Sequence, residues 1–540
     1  MRLLPGVVLA VAVAVAGCGR DAETVLPDPR AVRIEADVRF LADDLLEGRE
    51  AGTRGYDIAA RYVAERFRAL GLEPAGDAGD YLQRVPLLRG WIEREGARLE
   101  LVRDGRIRAF RFQDEYLPGI SYGRSEVAVA APMVFVGQAV HAPDFGVDQF
   151  QGVDVQGKIA VLLGGAPASL PADPRAFHSS AREKLRELAE RGAVGVLTLP
   201  DPARAERYPW QRMARNWDRP GMRLRDAEGE PIDEFPSLRA SARMSLEAAA
   251  TLFEGARHEL PAVLEQAAAG TLEAFDLPGS LVLASRSRVE PIESFNVAGR
   301  LAGAEPRLAS EHVVYSAHLD HVGIGVEIEG DGIHNGALDN AIGVAILLEA
   351  AREAVEAEPH GRRSQVFLAV TAEEKGLLGA EHFAAQPGLP GTIVANINID
   401  MPILLWPQQD VVPIGIEHSS LKADVEAAAK SLGITLSPDP RPEEVVFIRS
   451  DQFAFIRQGI PAVYLKGGLE PAEGEHAGRA ETFLTQHYHL PSDQIDLPID
   501  YPTAAQMARL NVAIGRRVAD GDRAPRWNKG DFFGERFGSR

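Results

Sequence analysis

The chain has 540 residues, 45% of them hydrophobic and 25% charged, an ordinary globular composition but more chain than one hydrophobic core usually holds. Two or more folded units are therefore expected. A formal charge of −20 leaves no basic excess to neutralise phosphates, which argues against a nucleic-acid partner.

The N-terminus, "MRLLPGVVLAVAVAVAGCGR", places a basic Arg2 before an apolar run from Leu3 to Val15, then small residues before Cys18. A membrane span needs about 20 apolar residues, so this shorter run reads as an export signal. "Val15-Ala-Gly-Cys18" resembles a bacterial lipoprotein box, in which the cysteine is lipidated after cleavage. Val15 stands where Leu is commonest, and Gly19 is similar to the residue that follows the cysteine in lipoproteins sent to the outer membrane. The resemblance implies a signal peptide over 1–17, a lipid on Cys18, and an envelope protein held in the outer membrane and facing the periplasm. A secreted protein with an unmodified cysteine is the alternative. Cys18 is the only cysteine, so a metal site in the folded part must use His, Asp and Glu.

A polar linker over 18–30 precedes two helical patterns. In "TRGYDIAARYVAERFRALG", Ala59, Tyr62, Val63, Phe67 and Leu70 share one face and Gly71 supplies the stop. From 127 to 284 the texture changes to short strand-like runs, "PMVFVG", "KIAVLLG" and "GVLTL", around one amphipathic helix, "SSAREKLRELAERGA". Beyond 285 apolar runs alternate with helical patterns: "HVVYSAH", "NAIGVAILLEAAREAVE", "SQVFLAV", "TIVANINID", "LKADVEAAAKSLG" and "IPAVYLKG". Strands alternating with helices predict an α/β fold, a largely parallel sheet flanked by helices. The expected division is 31–126 and 285–519 for this α/β unit, 127–284 for a β-rich insert and 520–540 for a polar tail.

Ligands of such sheets collect beyond the carboxyl ends of strands, so the residues that end each apolar run matter most. "VVYSA" is followed by His318 and Asp320, "VFLAV" by Glu373 and Glu374, and "IVANINI" by Asp400. Asp339 precedes a helical pattern, and "HYHLPSD" carries His487 and His489. Singly, each has an ordinary explanation as a solvated or hydrogen-bonded group, and Asp339 would serve as a helix N-cap. Together they are hard and borderline ligands suited to zinc, gathered at one edge of one sheet.

Residues 295–517 resemble the zinc exopeptidases of metallopeptidase family 28, the bacterial aminopeptidase type. The motifs "SAHLDHVG", "NGALDNAIGVA", "TAEEKGLLGA", "NINIDM", "RSDQFAFIRQGIPAVYL" and "YHLPSD" occur in the family's order, and "LADDLLEGREAGTRGYDIAARYVAERFRALGLEP" is similar to its opening helices. The resemblance implies two zinc ions, or other divalent metals. His318, Asp339 and Asp400 would hold one, and Asp339, Glu374 and His489 the other, with Asp339 shared and followed by a cis peptide. It further implies that Asp320 orients His318, that Glu373 is the general base for the attacking water, and that Tyr488 stabilises the oxyanion. Adjacent residues leaving a strand point different ways, which agrees with separate tasks for Glu373 and Glu374. His321, His334 and His487 are expected at the surface or behind the ligands.

Leu338, Ile342 and Gln452 depart from the family's common Asp, Ser and His without removing a ligand; Gln452 bears on the substrate pocket, whose wall Asp451 would join. The insert, with "VFVGQAVHAPDFG" and "VDVQGKIAVLLGGAP", resembles a protease-associated (PA) domain, for which covering the site, selecting substrate or simply stabilising the fold are equally open. "RYPWQRMARNWDRPGMRLRDAEGEP" is expected to be a long loop. The implied activity is removal of N-terminal residues from peptides. A glutaminyl cyclase or carboxypeptidase on the same scaffold is the alternative, and the intact ligand set argues against a non-catalytic receptor. No G-x-S-x-G elbow or P-loop is present.

Overall fold

In the computed structural model, Asp28 accepts the Arg30 N–H and opens helix α1 (Pro29–Leu41), two residues inside the expected linker. The structure describes residues 27–201, 205, 209–470, 476 and 478–538, so the expected signal sequence and Cys18 lie outside it. Helix α2 (Arg54–Ala69) follows, capped by Thr53 and burying Ala59, Val63 and Phe67 along the predicted face. No described helix is long and apolar enough to cross a membrane.

The sheet then runs through strands β1 (Leu82–Arg103), β2 (Glu126–Phe135), β3 (Ile159–Leu163), β4 (Gly195–Leu199), β5 (Gly221–Leu224), β6 (Ala240–Met244), β7 (Phe275–Leu301), β8 (Glu311–His318), β9 (Ser364–Val370), β10 (Thr392–Ile399), β11 (Asp410–Ile414) and β12 (Ala462–Gly467). In space the main order is β11-β12-β10-β8-β9-β7-β2-β3-β4-β6. Within the C-terminal half β9, β8, β10 and β12 are mutually parallel, and β7 and β11 flank them antiparallel. This is the expected α/β architecture, a mixed and largely parallel sheet with helices on both faces.

Side chains alternate across a strand, and this sheet is buried on both sides, so its strands read as unbroken apolar runs. Val313, Tyr315 and Ala317 of β8, with Phe367 and Ala369 of β9, pack under α1, α2, α3 (Ile342–Glu356) and α4 (Tyr501–Asp520). Val314, Val366, Leu368 and Val370 face the other way, against Phe383 and Phe455.

The insert continues the same sheet. Its parallel strands β2, β3, β4 and β6 form their own core, with Phe135, Val161 and Leu197 on one face and Val134, Ala160 and Val196 on the other. Two long antiparallel strands join the halves: β7 pairs with β9 through Val297–Leu301 and with β2 through residues 275–286, while β1 runs beside it. The expected boundaries at 126/127 and 284/285 therefore need correction. Leu99, Leu101, Phe110 and Tyr116 pack in the insert's core, and residue 284 lies inside β7.

The C-terminal tail is also more structured than its polar sequence suggests. Asp531 caps a short helix (Phe532–Phe537) that buries Phe533 and Phe537. Asp531 accepts from His418 Nδ1 at 2.7 Å, and His418 Nε2 faces Glu417 at 3.7 Å and Asp173 of the insert at 3.8 Å.

Candidate metal centre

Because β8, β9 and β10 are parallel and in register, their carboxyl ends open side by side. His318 pairs with Val370, and each is the last residue of its strand. Asp400 follows Ile399 directly, and Glu373 and Glu374 follow Val370 after Thr371 and Ala372. Asp339 lies in an irregular turn ahead of α3, in which the Asp339–Asn340 peptide is cis. The Asn340 side chain ties this turn to β10: it accepts from the N–H groups of Gly343 and Met401 and donates to the Ile399 carbonyl. His489 comes from a separate loop and holds a left-handed φ of 56°.

Two clusters of donors result. His318 Nε2 lies 3.1 Å from Asp400 Oδ1 and 3.3 Å from Asp339 Oδ1. His489 Nε2 lies 3.1 Å from both Asp339 Oδ2 and Glu374 Oε2. Asp339 thus presents one oxygen to each cluster. Three carboxylates and two imidazoles, with His318, Asp339 and Asp400 buried and Glu374 and His489 partly so, form the oxygen–nitrogen donor set that divalent zinc takes. Burying such carboxylates is costly unless a cation answers them, so the donor chemistry fits a metal pair.

In the protein alone, the histidines provide that answer. Burial opposes the charge on His489, but Glu374 and Asp339 overcome it and raise its pKa to about 10. Burial likewise opposes the charge on His318, while Glu373 and Asp400 carry its pKa well above the usual value. Asp339 and Glu374 are held below the usual carboxylate range despite burial, by hydrogen bonds and charge from the imidazoles. Glu373 differs. Burial pushes its pKa well up, His318 opposes, and Asp451, Asp400 and Glu374 add to the rise.

Asp320 departs from the expected contact. His318 Nδ1 meets the Asp320 main-chain oxygen at 3.1 Å, while the Asp320 carboxylate accepts the N–H groups of Glu373 at 3.0 Å and Glu374 at 3.3 Å. It fixes where the two glutamates leave the strand. Tyr488 packs against His489, with ring centroids 3.9 Å apart and the planes tilted by 32°, and lines the cavity beside Asp400.

His321 is fully buried, not at the surface, with Nδ1 2.8 Å from Glu374 Oε1. His334 is buried too and meets Arg219 at 2.7 Å, whereas His487 bonds Ser492 away from the clusters. Gln452 accepts from Asn398 and donates to the Phe447 carbonyl, so its side chain serves the framework beneath the site. Asp451 is buried with both oxygens unpartnered and does not line the cavity.

Two residues that the sequence reading did not single out hold the site in place. Asp493 accepts the N–H groups of Leu338 at 2.9 Å and Asp339 at 3.0 Å. Arg49 is buried and donates only to main-chain carbonyls, those of Leu41, Leu319, Asn335 and Gly336. It pins the loops after β8 and before Asp339. Burial lowers its pKa to about 10, with Asp493, Asp320 and Asp339 opposing. Asp493 sits in "YHLPSD" and could have been suspected; an Arg bound to carbonyls leaves no residue-type signature. The expected long loop contains a short helix (Trp210–Ala214) and β5, which pairs with β1, and it reaches the site through Arg219 and Arg212, the latter donating to the Tyr488 carbonyl.

Residues 296–514 match the family model described as Peptidase family M28. Among solved structures, the aminopeptidase from Aneurinibacillus sp. strain AM-1 is similar over 92% of this chain and 95% of its own, at 19% identity and a TM-score of 0.52, and so shares the fold. BSAP, a zinc aminopeptidase from Bacillus subtilis, aligns over 91% and 96% at 19% identity with a TM-score of 0.46. A peptidase M28 precursor from Shewanella amazonensis aligns over 92% and 96% at 17% identity with a TM-score of 0.44. The family match falls on the strands and turns that carry every donor above, and residues 296–514 are a metallopeptidase domain of the M28 type.

Proposed function

We propose that the protein is a dizinc exopeptidase of the aminopeptidase type. The observation that carries this reading is the split of Asp339, Oδ1 toward His318 and Asp400 and Oδ2 toward His489 and Glu374. His318, Asp339 and Asp400 would hold one ion; Asp339, Glu374 and His489 would hold the other. When bound, such a pair polarises the scissile carbonyl and acidifies the attacking water. Glu373 makes no hydrogen bond to a described residue through its carboxylate, and burial pushes its pKa above the usual carboxylate range, which strengthens it as a base. It takes the proton of the attacking water and delivers it to the leaving amine. Tyr488 keeps its phenolic proton, since burial and the charges of Asp339 and Glu374 push its pKa up, and its hydroxyl donates to the developing oxyanion. Asp320, Asp493 and Arg49 position these groups. His321, through Glu374, belongs to the same positioning set.

The lipoprotein reading of "Val15-Ala-Gly-Cys18" further places the enzyme, in this proposal, on the outer membrane with peptides of the periplasm as substrates. The PA-like reading of the insert makes it a wall of the substrate path, supported by the contacts of Arg212 and Arg219 with the loops of Tyr488 and His334.

Glu373→Gln tests the roles. Elemental analysis should still find two zinc ions per chain, while kcat falls by about 10²–10⁴-fold; near wild-type turnover would overturn the assignment. A mixed library of free and N-blocked peptides, read by mass, should show trimming of free N-termini only. Cyclised N-terminal glutamine or loss of C-terminal residues would replace the aminopeptidase reading.

A further inference from the structure

A cavity of about 120 Å³ opens beside Asp400 and Tyr488. Much of its wall is apolar, including Met401, Ile403 and Leu484; the carboxylates of Asp400, Asp439 and Glu444 line it too, and so do three cations: Arg441, Arg449 and Lys466. Two of them are answered. Arg441 pairs with Glu481 at 3.0 Å, and Arg449 lies 3.6 Å from Glu444. The Lys466 ammonium forms neither an ion pair nor a hydrogen bond with any described residue; it stands over the face of Tyr464, 5.4 Å from the ring centroid.

The fold places this ammonium level with the candidate metal centre. β12 runs parallel to β10 with Leu465 opposite Ile399, so Lys466 stands level with Asp400, which follows the end of β10 while β12 continues beside β11. The Tyr464 hydroxyl donates to the Asp400 carbonyl at 2.7 Å, and the Gly467 N–H donates to the Pro402 carbonyl at 3.0 Å, which locks the two strand ends together. A Cβ at Gly467 would stand 2.3 Å from that carbonyl, so the close approach requires glycine. Burial disfavours the Lys466 charge, and the negative group opposing that penalty most is Asp400. Once Asp400 and Asp339 serve a cation, the remaining charges that act on Lys466 are those of Arg441 and Arg449. A half-buried ammonium without a counter-ion is unfavourable, and a ligand carboxylate relieves it through a charge-assisted hydrogen bond.

We propose that Lys466 makes this cavity a carboxylate-binding subsite, so that the enzyme prefers peptides that place a carboxylate there. The inference rests on the peptidase reading above for its substrate. That carboxylate has two sources: the side chain of an N-terminal Asp or Glu, or the free C-terminus of a dipeptide.

The test uses the full metal-loaded chain and its Lys466→Met and Lys466→Glu variants, the latter kept in case the first folds poorly by thermal melting. For a side-chain source, kcat/KM for a Glu-initiated tripeptide amide should exceed that for its Gln twin by about 10-fold, and the ratio should fall to about one in Lys466→Met and below one in Lys466→Glu. For a terminal source, the same pattern should appear between Leu-Gly free acid and Leu-Gly amide. Ratios near one in the wild type, or ratios unmoved by both variants, overturn the proposal. Calorimetric titration with L-glutamate and L-glutamine separates this from failure of the peptidase reading. If no peptide is cleaved but glutamate binds at least 10-fold tighter than glutamine, or in a parallel titration Leu-Gly free acid at least 10-fold tighter than Leu-Gly amide, and only when Lys466 is present, the subsite stands and the activity does not; equal binding within both pairs sinks the subsite.

Discussion

Both halves of the molecule contain parallel strands whose carboxyl ends open on one edge, and the two edges are filled in opposite ways. In the peptidase half the edge gathers Asp320, Asp339, Glu374 and Asp400, answered by His318, His321 and His489. In the insert, the buried charged side chains among the described residues are only Glu115 and Lys184. Lys184 stands just beyond the ends of β2 and β3, where its ammonium donates to the carbonyls of Gln138 and Gly165. One edge is an excess of acceptors that calls for cations; the other is a cation already satisfied by the backbone. A parallel sheet offers the location, and the residues decide whether it becomes a site.

The sharpest way to break this contrast is to weaken the group both clusters share. Asp339→Asn keeps the size of the side chain but removes the charge that faces His318 on one oxygen and His489 on the other. Elemental analysis should find fewer than one zinc per chain, and turnover should fall by about 10⁴-fold, the scale seen when a member of a catalytic unit is lost. Two retained ions would show that the clusters do not depend on a common ligand.

The peptidase edge was readable in the sequence because its strands are buried on both faces. "HVVYSAH", "SQVFLAV" and "TIVANINI" are continuous apolar runs, and a polar residue at the end of such a run stands out. The joining strands were not readable. β1 and β7 run for 22 and 27 residues and pass from one core to another, with Glu and Arg alternating toward solvent, so no single run marks them. The C-terminal Phe533 and Phe537 bury from a helix too short to show a period. Arg49 and Lys184 were missed for a shared reason: both bind main-chain carbonyls, which every sequence supplies.

Lys184 gives the insert its own test. Its folded pKa is lowered by burial to about 7, with Asp201 partly opposing, against about 10.4 in an unfolded chain. Below pH 7 both states carry the proton, and folding bears the full desolvation penalty. Between about pH 7 and 10 the unfolded chain holds more protons, so stability rises with pH, by roughly 1 kcal/mol per unit. Urea unfolding of the insert at pH 7 and pH 9 should therefore show a gain of a few kcal/mol in the wild type and a flat profile in Lys184→Met. A wild type indifferent to pH over this range would mean that the ammonium is not desolvated.

The smallest effect should come from a residue that touches no metal. Asp493 holds the N–H groups of Leu338 and Asp339, so it sets where Asp339 points without being a donor of either cluster. In Asp493→Asn one amide oxygen can still accept, but the second N–H loses its charged partner and Arg49 loses the negative group that most offsets its burial. Zinc affinity should weaken by about 10–100-fold, the usual consequence of removing a partner behind a ligand. Excess zinc should restore turnover in this variant, because its donors survive, and should fail to do so in Asp339→Asn. If zinc rescued neither, the Asp493 carboxylate would have to act on the reaction itself, and the division between groups that bind and groups that position would have to be redrawn at this turn.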